Sequence, residues 1–512
     1  MSNKNSNVWI GDKDLTRDES FIAISEQEFA DSSLLETLGN EEVAESSQGN
    51  RRDFLKFLGF GLGAATIAAG CDIPVKRALP YVVKPEEIIP GVANYYASTF
   101  VNGSDYAPIL VKTREARPIK VEGNAAMGQG GSSARAQASV LDLYDTNRFS
   151  KPYVKNDEAW DAMSWADLDK SVMAKLAAAS NIRILTNTIM SPTTQAAVDA
   201  FAAKYPFTKI VMHDSVSYSG ILDANQSDFG DRSIPGYHFD KADVIVGFDA
   251  DFLGTWVSPT EFNQQYAVGR QVKDVKNPKI SKHIQVESGM SLTGSNADNR
   301  ILVKPSAMGE AIAYLYGKLV GGSASTKGLT DKARKALDKT ATSLSVAKGK
   351  SLVVSGSNNP AEQMLVNGIN NALGNYGSTI DFGSAYLNRA GSDEDVADLV
   401  AEMKSGSVDA LIVMGTNPAY SHAAKTAFTE AISKVATKIS LAYAKDETTA
   451  LCDFIAPVHH SLESWGDVQA RRGIITMIQP TIQPLFDTRQ KEVSLMLWAG
   501  SSSTDMYETM QS

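Results

Sequence analysis

The sequence predicts an α/β protein with two doubly wound parallel-sheet domains and a small β-containing N-terminal domain. Three observations predict this fold. Seven short apolar runs rich in Val, Ile and Leu recur between residues 182 and 442, Ala-rich helical segments separate several of them, and a β-hairpin pattern precedes them all. Continuous apolar runs of this kind are typical of parallel strands that are covered on both faces.

The small β-containing domain is predicted within residues 72–155. After a proline-rich connector, two β-like runs at 109–113 and 119–122 flank turn residues 115–118, which indicates a hairpin. A glycine-rich loop at 123–131 and a short helix at 134–143 are expected to follow it.

The apolar runs place seven strands in the rest of the chain. They are predicted at 182–185, 209–212, 244–248, 283–286, 352–355, 410–414 and 438–442, with helices at 165–179 and 193–204 among the segments between them. Gly, Ser, Thr and Lys are dense at 321–350, so we divide the strands into a first α/β domain at 156–345 and a second at 346–490. Residues 491–512, with a helix at 492–498, are expected to begin a further, truncated region.

Charge is concentrated at the N-terminus. The chain has a formal net charge of −10, and residues 1–50, an acidic extension, hold eleven Asp and Glu against three Lys and Arg. The remainder is close to neutral overall, which disfavours a nucleic-acid partner.

Residues 51–71 have the pattern of an export signal. The pair Arg51-Arg52 precedes an apolar run at 57–70 that is shorter than the roughly 20 residues needed to cross a bilayer. Small residues then lead to Cys71, as in a lipobox, although Ala68 stands where a larger aliphatic residue is usual. The sequence therefore predicts export by the twin-arginine route and a lipid anchor on Cys71 at the periplasmic face of the inner membrane. A buried glycine-rich helix is the alternative.

Two polar loops follow predicted strands, where open α/β sheets bind ligands. Residues 355–360 include Asn359, and residues 415–418 include Thr416 and Asn417. Loops of this kind can bind phosphate through backbone amides at a helix N-terminus, but they also serve as tight turns.

Several segments resemble the molybdopterin oxidoreductases. They are residues 117–124, 143–148, 416–418, 447–449, 452–457 and 463–466. The segments 249–255, 286–288 and 291–294, with the twin-arginine leader, more closely resemble the B subunit of alternative complex III, a quinol-oxidising bacterial respiratory complex. The resemblance implies a molybdopterin-oxidoreductase-like fold and nominates Asn359, Thr416, Asn417 and Glu463 as remnants of a pterin site.

That subunit typically joins a molybdopterin-oxidoreductase-like half to a ferredoxin-like half, and this chain is similar to the first half only. The expected partners are therefore a ferredoxin-like iron–sulfur module, cytochrome c-type haem subunits and membrane subunits that handle quinol. The implied function is that of a non-catalytic structural half-subunit in electron transfer from quinol to cytochrome c or an oxidase.

The cysteine count limits the cofactors. An iron–sulfur cluster is generally held by four thiolates, and the chain contains only Cys71 and Cys452. We therefore expect no iron–sulfur cluster, no metal ligands and no catalytic residues in this chain, and iron–sulfur and haem groups only in its partners. Molybdopterin is not expected either, although an active molybdopterin-dependent oxidoreductase without a cluster remains the alternative.

Other interpretations are also compatible with the sequence. A free lipoprotein that binds a solute between two α/β domains would also fit the pattern. The group His459, His460 and Glu463 could suggest a metal site, but a polar loop is the simpler interpretation. The run 213–215 contains the residue types of a hydrolytic triad, yet triad members meet in space rather than in sequence.

Overall fold

The structure is a computed structural model that describes residues 89, 91–127, 131–156, 159–272, 274–323, 325–502 and 505–511. The chain divides into two units, residues 1–84 and 85–512, and every described residue belongs to the second. The acidic extension, Arg51, Arg52 and Cys71 lie outside the described residues, so export and lipidation stay predictions.

The described strands, numbered along the chain, are β1 (Asn94–Asn102), β2 (Asp105–Arg114), β3 (Arg117–Gly123), β4 (Tyr153–Asn156), β5 (Ala159–Ala162), β6 (Ile182–Thr186), β7 (Thr208–Met212), β8 (Ile234–Tyr237), β9 (Val244–Phe248), β10 (Lys282–Glu287), β11 (Asn299–Leu302), β12 (Ser351–Ser355), β13 (Ile380–Tyr386), β14 (Ala410–Met414), β15 (Thr437–Leu441), β16 (Phe454–Ile455), β17 (Gly466–Arg471) and β18 (Ile474–Ile478).

The described α-helices are α1 (Ala134–Asp142), α2 (Trp165–Ala178), α3 (Pro192–Lys204), α4 (Ser219–Phe229), α5 (Pro259–Arg270), α6 (Leu292–Ser295), α7 (Met308–Leu319), α8 (Asp331–Val346), α9 (Pro360–Leu373), α10 (Asp393–Lys404), α11 (Pro418–Ser421), α12 (Lys425–Ile432), α13 (Lys491–Trp498) and α14 (Met506–Gln511). The seven predicted strands and the four predicted helices are all present, and their ends differ from the prediction by at most one residue.

The N-terminal part of the described unit is a three-stranded antiparallel sheet in the order β1-β2-β3. The predicted hairpin is confirmed, since β2 and β3 pair through Val111 and Val121 and turn at Glu115 and Ala116, both of positive φ. Buried side chains of these strands, including Ile109, pack against Ala136 and Val140 of α1. This sheet is the small β-containing domain that the sequence predicts.

A seven-stranded sheet forms the larger α/β layer, in the order β5-β4-β16-β15-β14-β6-β7. The strands β16, β15, β14, β6 and β7 are parallel, and β4 and β5 add an antiparallel edge. Side chains of β14 alternate between two cores. Ile412 packs in the core that contains Phe201 of α3, and Leu411 packs in the core that contains Phe428 of α12. The sheet is therefore covered by helices on both faces, as a doubly wound fold requires.

A second, four-stranded parallel sheet has the order β11-β10-β9-β12. Its strands also alternate between two cores. Val246 packs in the core that contains Ile369 of α9, and Ile245 packs in the core that contains Phe262 of α5. The structure thus contains the two doubly wound parallel sheets that the sequence predicts.

The two parallel sheets do not follow the predicted division of the chain at residue 345. Strand β12, placed in the second domain, pairs with β9 of the first, and β14 pairs with β6 across more than two hundred residues. The physical reason is that the second sheet is formed by a segment inserted between β7 and β14. The segment 321–350 contains the link after α7 and all of α8, whose Leu337 and Leu344 pack in the core of the second sheet, so it is not a boundary between sheets.

A fourth sheet, in the order β18-β17-β13-β8, was not predicted. It is antiparallel, and β13 and β17 pair only at Tyr386 and Arg471. Arg471 also forms an ion pair with the largely buried Glu261 of α5, at 2.5 Å between Nη1 and Oε1. This sheet therefore joins the inserted segment to the C-terminal strands. Within the described residues no helix is long and apolar enough to cross a membrane.

Candidate functional site

The order of the seven-stranded sheet creates a point where ligands are expected to bind. Strands β6 and β14 are neighbours, yet the chain after β6 forms α3 on one face and the chain after β14 leads to α12 on the other. Where the chain leaves adjacent parallel strands in opposite directions, a crevice opens at their carboxyl ends.

A cleft of about 720 Å³ lies at this crevice. Its lining includes Asn187 after β6, Asp214 after β7 and Thr416 after β14, and the β1–β2 hairpin contributes Gly103. A volume of this size falls in the range of ligand sites. The strand ends therefore build the main candidate site of the described unit.

Gly415 shows how closely the two loops approach at the crevice. Its φ is +66°, and a Cβ atom at this position would lie 2.3 Å from the side-chain oxygen of Asn187. Any larger residue would push the β6 and β14 loops apart, so glycine is required both by the backbone conformation and by the contact.

The predicted residues Thr416 and Asn417 line the cleft, but their polar atoms already have partners. The Thr416 hydroxyl donates to the carbonyl oxygen of His213 at 3.2 Å. The Asn417 side-chain oxygen accepts from the backbone amide and the hydroxyl of Thr448, and its amide nitrogen donates to Glu447. Thr448 in turn accepts the Ala419 amide at the start of α11. The Ala419 amide, which could otherwise bind an anion, is therefore bonded to another residue of the chain.

The N-terminus of α3 also points at the cleft, and a carboxylate of the chain is bound there. Asp467 of β17 accepts the backbone amide of Thr193 at 3.2 Å and its hydroxyl at 2.9 Å, and the Ser191 hydroxyl also donates to it. A helix N-terminus is the usual place for a bound phosphate, because free amides and the helix dipole favour negative charge there. Asp467 therefore sits where a phosphate of a ligand would bind.

Acidic groups dominate the lining of the cleft. It includes six carboxylates against two lysines and no arginine, namely Asp142, Asp145, Asp214, Asp446, Asp467 and Glu492 against Lys445 and Lys491. Burial raises the pKa of Asp446, and burial with the neighbouring Asp145 raises the pKa of Asp142. Burial and neighbouring carboxylates both raise the pKa of a carboxyl group, so the two raised pKa values fit an acidic, partly closed cleft.

Asp214 is buried and serves as an internal acceptor. It accepts the amide and hydroxyl of Thr188 at 3.1 and 2.7 Å, and the amide of Gly391 at 3.1 Å. These bonds fix the loops after β6 and β7 to the segment before α10. Asp214 therefore stabilises the wall of the cleft.

His213 and Ser421 meet in the same region but do not form a nucleophilic pair. His213 Nε2 lies 3.0 Å from the Ser421 hydroxyl, which itself donates to the carbonyl oxygen of Asn417 at 2.9 Å. The single Ser421 proton thus has a second acceptor besides His213, and the Asp214 oxygens accept from Thr188 and Gly391, so the three residue types are not linked as a triad. Ser215 of the suggested triad is exposed and makes no part of this contact.

Glu463 lies beside the cleft wall but is buried in an ion pair. Its two oxygens accept Arg148 Nη1 and Nη2 at 3.1 and 2.7 Å, and both side chains are at most 1% exposed. It also accepts the amides of His460 and Leu485. Burial would raise the pKa of Glu463, but the hydrogen bonds from Arg148 and these amides lower it below its ordinary value. Glu463 therefore has no free oxygen for a ligand.

Asn359 lies at the other parallel sheet, outside the cleft. Its side-chain oxygen caps α9 by accepting the amide of Ala361 at 3.0 Å. The crevice between β9 and β12, where that loop starts, is closed, because a Cβ atom on Gly356 would lie 2.4 Å from the carbonyl oxygen of Asp249. The four nominated residues therefore do not converge on one site.

The two histidines near Glu463 are not arranged as a metal pair. His459 Nδ1 bonds the Thr488 hydroxyl at 2.6 Å, and His460 Nδ1 accepts the Leu462 amide, while burial lowers the pKa of His460 to about 4. Within the described residues no group of three or more His, Cys, Asp or Glu is placed to hold a metal ion. Cys452 is buried and hydrogen-bonded to the Thr448 carbonyl oxygen, and burial raises its pKa.

Similarity to known proteins is found at the level of structure. No family model and no curated protein sequence matches the chain. Among solved structures, the acetylene hydratase from Pelobacter acetylenicus is similar, with a TM-score of 0.59 and 11% sequence identity over 79% of this chain and 69% of that chain. At this identity the likeness shows the fold alone. The chain therefore has a molybdopterin-oxidoreductase-like fold, as its sequence motifs predict.

Proposed function

We propose that this chain is a non-catalytic structural subunit of a membrane respiratory complex of the alternative complex III type. In this role it scaffolds the iron–sulfur and haem subunits that carry electrons from quinol to cytochrome c or an oxidase. Cys71 would hold it at the periplasmic face of the inner membrane after twin-arginine export through Arg51 and Arg52. The proposal combines the motif resemblance, the shared fold and the chemistry of the cleft.

The observation that carries the proposal is the position of Asp467. A pterin dinucleotide brings a pyrophosphate, and the fold offers it the cleft at the β6–β14 crevice. There Asp467 already accepts the amide at the α3 N-terminus, and the lining has carboxylates in excess of lysines. Bringing a pyrophosphate beside these carboxylates would cost free energy through charge repulsion. The residues present therefore do not fit this anionic cofactor.

Other polar groups that the sequence nominated or that start nearby helices are also bonded within the chain. The α11 amide bonds Thr448, the α9 amide bonds Asn359, and Glu463 is held by Arg148. These groups bond within the chain and stabilise it. A subunit whose work is to pack against partners needs this internal stability and no bound cofactor.

The test is an analysis of metal and pterin on two samples. The first is the complex purified in detergent from membranes of the source organism, and the second is this chain purified alone after export in the same organism. Molybdenum, tungsten and iron are measured by mass spectrometry, and released pterin by fluorescence. We expect the chain alone to lack all of them, and the complex to contain iron but neither molybdenum nor pterin.

Deletion of the gene supplies the second readout. We expect the iron–sulfur and haem subunits to be lost from the membrane fraction, and a Cys71→Ser chain to be released from it. Stoichiometric molybdenum and pterin on the chain alone would contradict the proposal. So would a native membrane preparation in which the chain co-purifies with no other subunit, which would instead favour a solute-binding lipoprotein.

The second candidate is an active molybdopterin-dependent oxidoreductase that lacks an iron–sulfur cluster. The volume of the cleft favours it, since about 720 Å³ at a crevice of this kind would hold a sizeable ligand. The same metal and pterin measurement distinguishes the two candidates.

A further inference from the structure

The segment from residue 270 to residue 350 is strongly basic. It contains fifteen Lys and Arg against six Asp and Glu, although the whole chain has a net charge of −10. The segment covers the loop before β10, the β10 and β11 strands and helices α7 and α8. Its charge is hidden in the overall composition because acidic residues elsewhere compensate for it.

Part of this charge converges at the amino-terminal edge of the four-stranded parallel sheet. Strands β10 and β12 both pair with β9, so the loops that lead into them lie close together. The Asp243 amide donates to the Lys350 carbonyl oxygen at 2.7 Å, and the Lys282 amide donates to the Asp243 carbonyl oxygen at 2.8 Å. Lys282 Nζ reaches the Ser343 hydroxyl of α8 at 2.9 Å.

Exposed aliphatic side chains lie next to lysines of this segment in the sequence. Val275 is 86% exposed in the loop before β10, and Val346 is 85% exposed at the end of α8. Lys276, Lys348 and Lys350 are also exposed. We call the following set the basic edge: Val275, Lys276, Lys279, Val346, Lys348 and Lys350.

The acidic groups next to the basic edge are already engaged. Asp243 pairs with Lys279 at 3.0 Å, and Asp274 accepts the Lys276 amide and the Asn277 side chain. Lys276, Lys348 and Lys350 form no ion pair within the described part of the chain. The four lysines of the basic edge outnumber these two carboxylates, so the edge has a net positive charge.

The composition of the basic edge favours a lipid surface over a protein. Protein interfaces are enriched in aromatic residues and arginine and depleted in lysine, whereas the basic edge consists of lysines and valines. Lysines that flank exposed aliphatic groups suit a bilayer interface, where the ammonium groups contact anionic headgroups and the aliphatic groups enter the acyl boundary.

We infer that the basic edge binds the anionic phospholipid surface of a membrane, with Lys276, Lys348 and Lys350 at the headgroups and Val275 and Val346 between them. The inference does not rest on the proposed function, because it requires only these side chains and a negatively charged bilayer. It adds a peripheral contact by the folded body of the protein.

The test measures binding of the full-length chain to lipid vesicles by co-sedimentation. Every preparation carries Cys71→Ser so that no acyl chain is attached. Vesicles are either phosphatidylcholine alone or phosphatidylcholine with phosphatidylglycerol, at about 0.1 M salt, where screening is moderate. The test variant combines Lys276→Glu, Lys348→Glu and Lys350→Glu. At about fivefold per lysine near an anionic surface, the loss of three lysines should weaken binding to anionic vesicles at least about 100-fold.

A matched control variant changes the same net charge elsewhere. It combines Lys151→Glu, Lys170→Glu and Lys425→Glu, three exposed lysines far along the chain from the basic edge. We expect it to keep most of the binding. A third variant, Val275→Ser with Val346→Ser, leaves the charge unchanged and should weaken binding by about tenfold, since two aliphatic groups no longer enter the bilayer. Circular dichroism confirms that each variant is folded.

Three results would overturn the inference: equal binding to both vesicle types, equal loss in the two lysine variants, or no loss in the test variant. If the chain binds no vesicles, but the test variant loses co-purifying subunits, the basic edge binds an acidic protein and the lipid assignment is wrong.

Discussion

Replacing Arg148 with methionine should destabilise the protein by about 3–5 kcal/mol. The magnitude follows from the burial of the pair it breaks. Two hydrogen bonds of 3.1 and 2.7 Å join Arg148 to Glu463, and the two side chains are 1% and 0% exposed. Without the guanidinium, the Glu463 carboxylate keeps only backbone amides and remains charged in the interior, which is costly.

The assay is urea denaturation at neutral pH, followed by tryptophan fluorescence, for Arg148→Met, Glu463→Gln and the double variant. Each single variant leaves a buried charge without its partner, whereas the double variant leaves no buried charge at this site. We therefore expect the double variant to cost less than the sum of the single variants, with a coupling energy of about 2 kcal/mol or more. As a control, Lys209→Met breaks the exposed pair with Asp395 and should cost less than about 1 kcal/mol.

The reasoning fails if the single variants cost no more than the control, or if their effects add. The pH dependence gives a second check. Because the pKa of Glu463 is lowered in the folded state, its contribution is present above its ordinary pKa of 4.5 and is lost as the pH falls through the folded value. Glu463→Gln should remove this part of the acid sensitivity.

Three further predictions concern packing, protonation and the cleft. A Cβ atom on Gly220 would lie 2.3 Å from the Asn358 carbonyl oxygen, so Gly220→Ala should lower the free energy of unfolding by about 1–3 kcal/mol. Gly289 has open space around it, and Gly289→Ala should be nearly neutral. Equal costs in the two variants would contradict the packing argument. Burial lowers the pKa of His283 from 6.5 to about 4, so protonation favours the unfolded chain. The free energy of unfolding should therefore fall by about 1 kcal/mol per pH unit as the pH drops between these values. Urea denaturation should show a smaller pH dependence of stability in His283→Gln, and an unchanged pH dependence would refute this assignment. Asp467→Ala should lower the free energy of unfolding by about 1 kcal/mol. Its melting temperature should rise with added phosphate, whereas that of the natural chain should not. An unchanged response to phosphate would refute the assignment of this position as a filled anion site.

The strands could be predicted because their signal is local. Val244–Phe248 and Ala410–Met414 are continuous apolar runs whose ends coincide with the prediction, and each is buried on both faces. The order of the strands could not be predicted in the same way. Pairing of β12 with β9 and of β14 with β6 depends on contacts between distant segments, for which the composition at 321–350 carries no information.

The candidate site was predicted in part. Thr416 and Asn417 follow a buried strand, and that position alone places them at a carboxyl edge. Asn359 follows a strand too, but of the other sheet, and only the sheet order reveals this. Asp467 was missed because it reaches the α3 N-terminus from an antiparallel strand almost three hundred residues later. Its only sequence signal is a lone acidic residue in a β-like run.

Asp467 also gives a physical reason why a fold of this kind can be stable without a cofactor. A helix N-terminus left empty in a cleft would leave amides unsatisfied and the helix dipole uncompensated. A carboxylate from the chain itself satisfies both requirements, as Asp467 does for Thr193, and the Thr448 hydroxyl accepts the Ala419 amide without adding charge. The loops of the cleft then hold their positions whether or not a ligand is present. Because Asp467 takes the place of a ligand phosphate, the stability of the natural protein should not depend on phosphate. A phosphate response of Asp467→Ala would show that the anion site is filled by Asp467 and not lost.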